Sequence, residues 1–222
     1  MSLVIFDLDK TLIGGDSDYL WGEFLCEIGV IVDVNSYQKK NEYYFQQYDL
    51  GYLDIDAYLE FCLEPLSRHS FSELDAYHKE FMCQKIEPIL LDKAQKVVDQ
   101  HKSQGDTLLV ITATNSFITW PIVKRYGIEN LIATEPEVKN GRYTGKVSGI
   151  PCYKNGKVDN LVPWLKENQE TLTDSTFYSD SNNDLPLLRL VDRPVAVNAD
   201  PILTEVARQN GWETLDWMKQ IK

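Results

Sequence analysis

The sequence predicts an α/β protein in which a doubly wound parallel sheet carries a helical cap inserted after the first strand. Two observations lead to this prediction. The chain begins with an apolar run at residues 3–6 and then shows only helical patterns from about residue 19 to 84. From residue 107 onward, short apolar runs alternate with helical patterns, which is typical of parallel sheets joined by right-handed crossovers.

Composition and charge are those of an ordinary globular protein. The 222 residues are enough for one large domain or for a core with a smaller insert. The net charge of −12 argues against nucleic acid and anionic membrane surfaces as partners. No apolar run approaches the roughly 18–20 residues of a membrane span, and no basic and apolar leader precedes Asp7. Four separated cysteines without a C-x-x-C pair fit free thiols, so we expect a cytoplasmic protein.

The first predicted strand ends in two acids. Its apolar residues at 3–6 predict a strand buried on both faces, and open α/β sheets place their ligands at the carboxyl ends of strands. Because side chains two residues apart point to the same side of a strand, Asp7 and Asp9 should lie together there. Two adjacent carboxylates repel each other unless a cation neutralises them, and Mg²⁺ prefers such oxygen ligands. The alternative is a solvated acidic turn.

The segment after this strand is predicted to be helical throughout. Apolar and aromatic residues recur at helical spacing in four segments, at 19–29, 36–50, 55–63 and 72–86. Glycine, proline and serine residues separate these segments, as expected between helices. We therefore assign residues 15–85 to a helical cap, and residues 1–14 and 86–222 to the α/β core.

The core elements after the insert are predicted from apolar runs, glycine stops and turn residues. They are, in order, a helix at 89–103, a strand at 107–112, a helix at 117–126, a short strand at 131–134, a hairpin turn at 139–142, a helix at 156–167, a strand at 175–179, a helix from Leu185, a last strand at 195–198 and a last helix at 201–209. The pair Asn140-Gly141 predicts a type I′ turn, because both central residues of that turn need positive φ.

Polar residues stand at the carboxyl ends of three predicted strands. They are Asp7 and Asp9 after the first strand, Thr112 and Asn115 after the second, and Asp180 and Asp184 after the strand at 175–179, while Lys157 begins the helix before that strand. The chain has neither a Walker-type loop nor a G-x-G-x-x-G motif, so no glycine-rich loop is available to hold phosphate. The alternative is transfer of a phosphoryl group to a carboxylate, followed by hydrolysis.

Each polar group then has a role in this reaction. The predicted nucleophile is Asp7, the general acid and base is Asp9, the contacts to the transferring oxygens come from Thr112 and Lys157, and the Mg²⁺ ligands are Asp7, Asp9, Asp180 and Asp184. A nucleophile, a metal, fixed donors and an acid are together what such a phosphoryl transfer requires.

Four motifs resemble those of the haloacid dehalogenase-like superfamily. They are F-D-L-D-K-T, I-T-A-T-N, Gly156-Lys157 and S-D-S-N-N-D, in the order of that family, and they span nearly the whole chain. The resemblance implies a Rossmann-like core. It also implies phosphatase activity, and the insert after the first motif looks like the cap of subfamily IB, which contains phosphoserine phosphatases and histidinol phosphatases.

The resemblance also implies a set of ligands. In that family Mg²⁺ binds the side chain of the first Asp and the main-chain carbonyl of the second, which correspond to Asp7 and Asp9, and the third ligand corresponds to Asp180. The positions that correspond to contacts with substrate or phosphate are Ala113, Asn115 and Asn183.

The insert favours a substrate without a carboxylate. Asp16 stands where phosphoserine phosphatases carry a Glu for the substrate amine, but their carboxylate-binding Arg has no early counterpart, because the first arginine is Arg68. Before it the insert offers only Lys39 and Lys40 as cations. Histidinol phosphate has an amine and an imidazole but no carboxylate, and Asp16 and Asp18 are candidates to bind its amine. The alternative is a solvated acidic helix face.

Other functions remain open at this point. A phosphoserine phosphatase or a phosphotransferase of the same family would use the same motifs. A receiver-like regulatory protein also combines acids, Mg²⁺, a Thr and a Lys, but it is about half as long and accepts phosphate on a different strand from its acid pair. In each enzymatic case the partner is a small phosphorylated metabolite, and we expect a monomer or a homodimer.

Overall fold

A computed structural model describes residues 2–218 of the chain. Met1 and residues 219–222, which the predicted core boundaries include, lie outside the described residues. The seven strands of the described chain are β1 (Leu3–Phe6), β2 (Thr107–Asn115), β3 (Asn130–Lys139), β4 (Arg142–Ser148), β5 (Thr176–Ser179), β6 (Arg193–Val197) and β7 (Glu213–Leu215). They form one sheet in the order β4-β3-β2-β1-β5-β6-β7. All neighbours are parallel except β3 and β4, so the predicted parallel sheet is confirmed.

The helices flank this sheet and fill the insert. Those of the described chain are α1 (Ser17–Glu27), α2 (Val34–Asp49), α3 (Ile55–Ser67), α4 (Phe71–Phe81), α5 (Asp92–Gln104), α6 (Ser116–Arg125), α7 (Asn155–Asn168), α8 (Leu185–Leu188) and α9 (Pro201–Asn210). The first four lie between β1 and β2, as predicted for an insert after the first strand. No helix in residues 2–218 is long and apolar enough to span a membrane.

Two apolar layers cover the two faces of the sheet. Val4 and Phe6 of β1 pack into one layer with residues of α5, α6 and the insert helices. Leu3 and Ile5 pack into the other layer with residues of α7, α8 and α9. The alternation follows from the period of a strand, and all four side chains are fully buried. This arrangement makes the sheet doubly wound and places β1 at its centre, where a strand must be apolar on both faces.

Several boundaries differ from the prediction. The strand expected at 107–112 continues to Asn115, and the helical segment expected at 72–86 ends in a π-helical turn at Met82–Ile86. The helix expected at 89–103 begins at Asp92, because Glu87–Ile89 forms a separate 3₁₀ turn and the next residue, Leu90, bridges to Ile13. The short strand expected at 131–134 continues to the end of β3, where it forms the predicted hairpin with β4. The strand expected to be last is followed by β7, a three-residue edge strand that pairs with β6.

The hairpin turn itself follows the prediction. Asn140 and Gly141 both have positive φ, at 52° and 73°, as a type I′ turn requires. Lys139 and Arg142 pair across the turn, so β4 becomes an antiparallel edge of the sheet, and residues of α3 pack against it. The hairpin thereby supports the insert from the side of the core.

Candidate active site

Asp7 and Lys157 form a buried ion pair at the carboxyl end of β1. The main-chain N–H of Asp7 donates to the carbonyl of Tyr178 in β5 at 2.9 Å, which fixes the strand end. Lys157, in the first turn of α7, places its Nζ 2.8 Å from Oδ1 of Asp7. The same ammonium lies 2.8 Å from Oδ2 of Asp184, and all three charged side chains are buried. A buried ammonium requires such partners, because desolvation of an unpaired charge is costly.

Asp184 holds the ammonium of Lys157 in place from the side of the core. Its Oδ2 also accepts the hydroxyl of Ser179 at 2.7 Å, and its Oδ1 lies 2.7 Å from Nζ of Lys157. Oδ2 thus accepts both hydrogen bonds, whereas Oδ1 is close to the ammonium but has no hydrogen-bond partner within residues 2–218. We therefore infer that Asp184 positions the lysine, and its place among the metal ligands stays a prediction.

Burial and charge shift the pKa values of this group. Burial raises the pKa of Asp7 to about 6, although Lys157 acts against this rise. Burial and the charges of Asp7 and Asp184 raise the pKa of Asp180 well above its usual value. Burial lowers the pKa of Lys157, but the attraction of the two carboxylates outweighs it, so the lysine stays charged. The strand ends thus hold more negative charge than one lysine neutralises.

Two hydrogen bonds fix the side chain of Asp9. Its Oδ1 accepts the main-chain N–H of Ser17 at 2.6 Å, and its Oδ2 accepts the hydroxyl of Thr114 at 2.9 Å. Burial is the main cause that raises the pKa of Asp9 well above its usual value, and the neighbouring carboxylate of Asp16 adds to this rise. A carboxyl whose pKa is raised holds its proton more tightly than an exposed one, and this is the direction that the predicted role of general acid requires.

The second motif lies beside these acids at the end of β2. Thr112 is buried, and its hydroxyl accepts the N–H of Thr114 at 3.3 Å. Asn115 caps α6 through its Oδ1, which accepts the N–H of Ile118 at 3.2 Å, and its buried Nδ2 has no partner within residues 2–218. Sequence reasoning missed Thr114, although its spacing of two from Thr112 already put both hydroxyls on one side of the strand end.

A cavity lies over Asp7, between the strand ends and the insert. Its lining residues are Asp7, Asp9, Asp16, Tyr19, Asn41, Phe45, Tyr48, Leu53, Ile55, Tyr58, Thr112, Ala113 and Thr114. Its volume is about 30 Å³, which is roughly the space of one water molecule. In this arrangement the cavity is too small to hold a phosphorylated metabolite.

The polar side chains that the insert contributes to this cavity are acidic or neutral. Asp16 lines it and caps α1, where its Oδ1 accepts the N–H of Tyr19 at 2.8 Å. Among residues 2–218, no lysine or arginine belongs to the lining. Lys39 and Lys40 are exposed, and Arg68 pairs with Glu64 on the outer surface of the insert.

Asp18 lies deeper in the insert. Its Oδ2 accepts the hydroxyl of Tyr58 at 2.6 Å, and burial raises its pKa to about 7. Tyr58 lines the cavity and Asp18 does not, so the tyrosine lies between this acid and the site. Contact of Asp18 with the substrate amine stays a prediction.

Three core side chains hold the C-terminal end of α2 over the site. Nδ2 of Asn183 donates to the carbonyl of Tyr48 at 3.0 Å. Lys154 donates to the carbonyl of Gly51 at 2.8 Å, and Lys10 forms an ion pair of 2.7 Å with Asp49 at the same end. Cations at the C-terminal end of a helix complement its dipole. Asn183, predicted on the substrate side, thus contacts the insert in this closed arrangement.

The strand ends fit a hard divalent cation. Lys157 pairs with Asp7 and Asp184, and the charges of Lys10 and Lys157 both act on Asp180, but the neighbouring acids still raise its pKa well above its usual value. Within residues 2–218, no three Asp, Glu, His or Cys side chains are placed to hold a metal on their own. Mg²⁺ usually takes one or two carboxylates and keeps water or substrate phosphate as its other ligands. Asp7, Asp180 and the main-chain carbonyl of Asp9 stay the predicted protein ligands.

Known proteins share this architecture. A protein from Neisseria meningitidis serogroup C named histidinol-phosphatase is 46% identical over 220 residues, which cover 97% of this chain and 99% of that protein. The crystal structure of a protein of unknown function from Bordetella pertussis Tohama I matches with a TM-score of 0.92 at 43% identity, covering 98% of this chain and 99% of that one. A phospho-aspartyl intermediate analogue of phosphoserine phosphatase matches with a TM-score of 0.72 at 19% identity, covering 99% and 95%, which shows a shared fold.

The family assignment agrees with the motifs. The family model of haloacid dehalogenase-like hydrolases matches residues 4–189 of the chain. This range includes the acids after β1, the end of β2, Lys157 and the acids after β5. The same residues surround the cavity or its buried lysine in the structure. The chain is an enzyme and belongs to the haloacid dehalogenase-like hydrolase family.

Proposed function

We propose that this phosphatase hydrolyses histidinol phosphate in an Mg²⁺-dependent reaction that passes through an aspartyl-phosphate on Asp7. The observation that carries the substrate assignment is the lining of the cavity, which is aromatic and acidic and has no lysine or arginine. A substrate carboxylate would lose its water there, and the nearby lysines are already paired, Lys157 with Asp7 and Asp184 and Lys10 with Asp49. The 46% identity to the protein named histidinol-phosphatase supports the same substrate.

The reaction on this site has two steps. The carboxylate of Asp7 attacks phosphorus, the ester P–O bond breaks, and the leaving alkoxide takes the proton of Asp9. Asp9 then accepts a proton from water, whose oxygen attacks the aspartyl-phosphate, and inorganic phosphate leaves with Asp7 restored. Lys157 stays charged throughout and, with the Thr112 hydroxyl, offers donors to the phosphoryl oxygens.

Phosphatases of this family generally use Mg²⁺. Here Asp7, Asp180 and the main-chain carbonyl of Asp9 would hold the ion. When bound, it supplies positive charge that neutralises the phosphate and the acids around it. The excess negative charge at the strand ends supports this assignment.

The insert selects the substrate and excludes water. We assign residues 15–85 to a cap that closes over the core of residues 1–14 and 86–222. Asp16 would bind the substrate amine, with the buried charge of Asp18 behind Tyr58 adding to the negative field. The rings of Tyr19 and Phe45, whose centroids lie 5.1 Å apart, offer an aromatic wall for the imidazole.

Kinetics on a pair of substrates tests this proposal. We expect kcat/KM with Mg²⁺ to be about a hundredfold higher for histidinol phosphate than for phosphoserine, because an unpaired buried carboxylate costs several kcal/mol. The Asp7→Asn protein serves as control, since any activity it retains comes from a contaminating phosphatase. Equal or better turnover of phosphoserine would refute the substrate assignment.

A further inference from the structure

One face of α2 forms the wall of the cavity that faces away from the core sheet. Asn41, Phe45 and Tyr48 lie at positions i, i+4 and i+7, which share a face of a helix, and all three line the cavity. The carbonyl of Tyr48 is bound by Asn183 of the core, so this residue marks the end near the catalytic acids. At 1.5 Å per residue, Asn41 lies about 10 Å farther along the helix. A substrate with phosphate at Asp7 would present its distal end to Asn41.

The amide of Asn41 has a fixed orientation. Its nitrogen Nδ2 donates to the carbonyl of Tyr19 at 3.0 Å, and only the amide nitrogen can donate to a carbonyl oxygen. The side chain is 4% exposed, so this bond is protected from water. The remaining polar atom is Oδ1, an acceptor, and it has no donor within residues 2–218.

A glycine in the neighbouring helix α1, Gly22, leaves room for the side chain of Asn41. A Cβ atom on Gly22 of α1 would come within 2.9 Å of Nδ2 of Asn41 and 3.0 Å of the Tyr37 ring. Glycine at this position therefore allows the backbone of α1 to approach the amide closely. The hydrogen bond from Asn41 to Tyr19 joins α2 to α1 and uses the amide nitrogen of a residue that lines the cavity.

We propose that Oδ1 of Asn41 accepts a hydrogen bond from an N–H group at the distal end of the substrate, which in histidinol phosphate is the imidazole N–H. This inference rests on the proposed function and names the residue that recognises the distal group. The amide oxygen of Asn41 carries no net charge, so it can accept a hydrogen bond from a neutral imidazole. It also disfavours a substrate carboxylate, because carboxylate oxygens are acceptors and two acceptors cannot bond to each other. Asn41 thus selects for a donor as well as against phosphoserine.

A matched pair of variants separates recognition from structural support. Asn41→Ala removes the acceptor and one link between α1 and α2. Gln38→Ala removes a similar link, since Nε2 of Gln38 donates to Glu23 of α1 at 3.1 Å, but Gln38 does not line the cavity. We expect Asn41→Ala to lower kcat/KM for histidinol phosphate about five- to one-hundredfold, the effect of losing one buried hydrogen bond. Gln38→Ala should change it less than about threefold.

Two further substrates make the result decisive. Para-nitrophenyl phosphate has no N–H, so its turnover should change less than about threefold in either variant and shows that both proteins fold. Histidinol phosphate methylated on the imidazole has no ring N–H in its neutral form. It should be a poorer substrate for the wild type, and Asn41→Ala should cause little further loss with it, as a double-mutant cycle requires for a direct contact.

Three results would overturn the inference. Asn41→Ala could leave histidinol phosphate turnover unchanged, could lower all substrates equally, or could lower the methylated substrate as much as the parent. If the wild type does not hydrolyse histidinol phosphate, the proposed function fails. The same pair of variants, measured on the phosphorylated amine that the wild type hydrolyses best against para-nitrophenyl phosphate, then still decides whether Asn41 recognises an N–H group.

Discussion

Replacing Lys157 by methionine should destabilise the protein strongly and in a pH-dependent way. The side chain is 1% exposed and its ammonium lies 2.8 Å from Asp7 and 2.7 Å from Asp184. Methionine preserves much of the length of lysine but leaves both carboxylates buried without a cation. Breaking a buried ion pair in this way typically costs about 3–5 kcal/mol. For a chain of this size that corresponds to a fall in Tm of about 6–20 °C.

The sign of the pH dependence follows from the acids that remain. The pKa of Asp7 is about 6 in the folded wild type, above the ordinary value of 3.8, and loss of Lys157 raises it further. A group with a raised folded pKa binds protons more tightly in the folded state, so its contribution to stability is lost as pH rises through that pKa. The deficit of Lys157→Met relative to wild type should therefore be smaller at pH 5 than at pH 8.

Thermal unfolding of the chelator-treated proteins at pH 5 and pH 8 measures both effects. Lys79→Met is the matched control, because Lys79 forms an ion pair of 2.6 Å with Asp75 on the exposed surface of α4. Removing it should cost at most about 1 kcal/mol at either pH. A Lys157→Met protein that unfolds within 2 °C or so of wild type at pH 8 would contradict the reasoning.

Two further predictions concern catalysis. Asp7→Asn should keep the fold, as judged by circular dichroism, but lose several orders of magnitude in kcat, because an amide cannot attack phosphorus; retention of more than about a tenth of kcat would exclude Asp7 as nucleophile. Treatment with EDTA should abolish turnover, Mg²⁺ should restore it, and Ca²⁺ should restore it poorly, because Ca²⁺ prefers more and longer ligand bonds. Full turnover by the chelated enzyme would contradict the metal assignment.

The core of the site was predictable because it depends on local rules. Acids, a threonine and a lysine next to strand ends or a helix start are brought together by any parallel sheet, whatever its details. Thr114 was not predicted, although it also lies at a strand end of the parallel sheet. The edge strand β7 was missed because its three residues, Glu213–Leu215, are too few and too polar for an apolar run. Only the hydrogen-bonded pairing with β6 identifies these residues as a strand.

The cavity wall could not be predicted in the same way. The helix α2 carries aromatic residues on several faces, and its sequence does not tell which face meets the site. In the structure Tyr37 and Tyr44 pack against Phe61 of α3, while Asn41 and Phe45, on the adjoining side of α2, line the cavity. That choice depends on how the insert helices pack on each other, which is a tertiary property.

The central position of β1 has a consequence for synthesis of the chain. Its two neighbours in the sheet are reached late, since Leu3 pairs with Thr107 and Val4 pairs with Thr176. At the usual translation rate, the most apolar strand waits roughly 5–20 s on the ribosome before β2 has been made. During this interval its apolar side chains have no sheet to enter, although the four insert helices are already complete. Of the seven strands of the described chain, β1 is therefore the first to be synthesised and among the last to be enclosed.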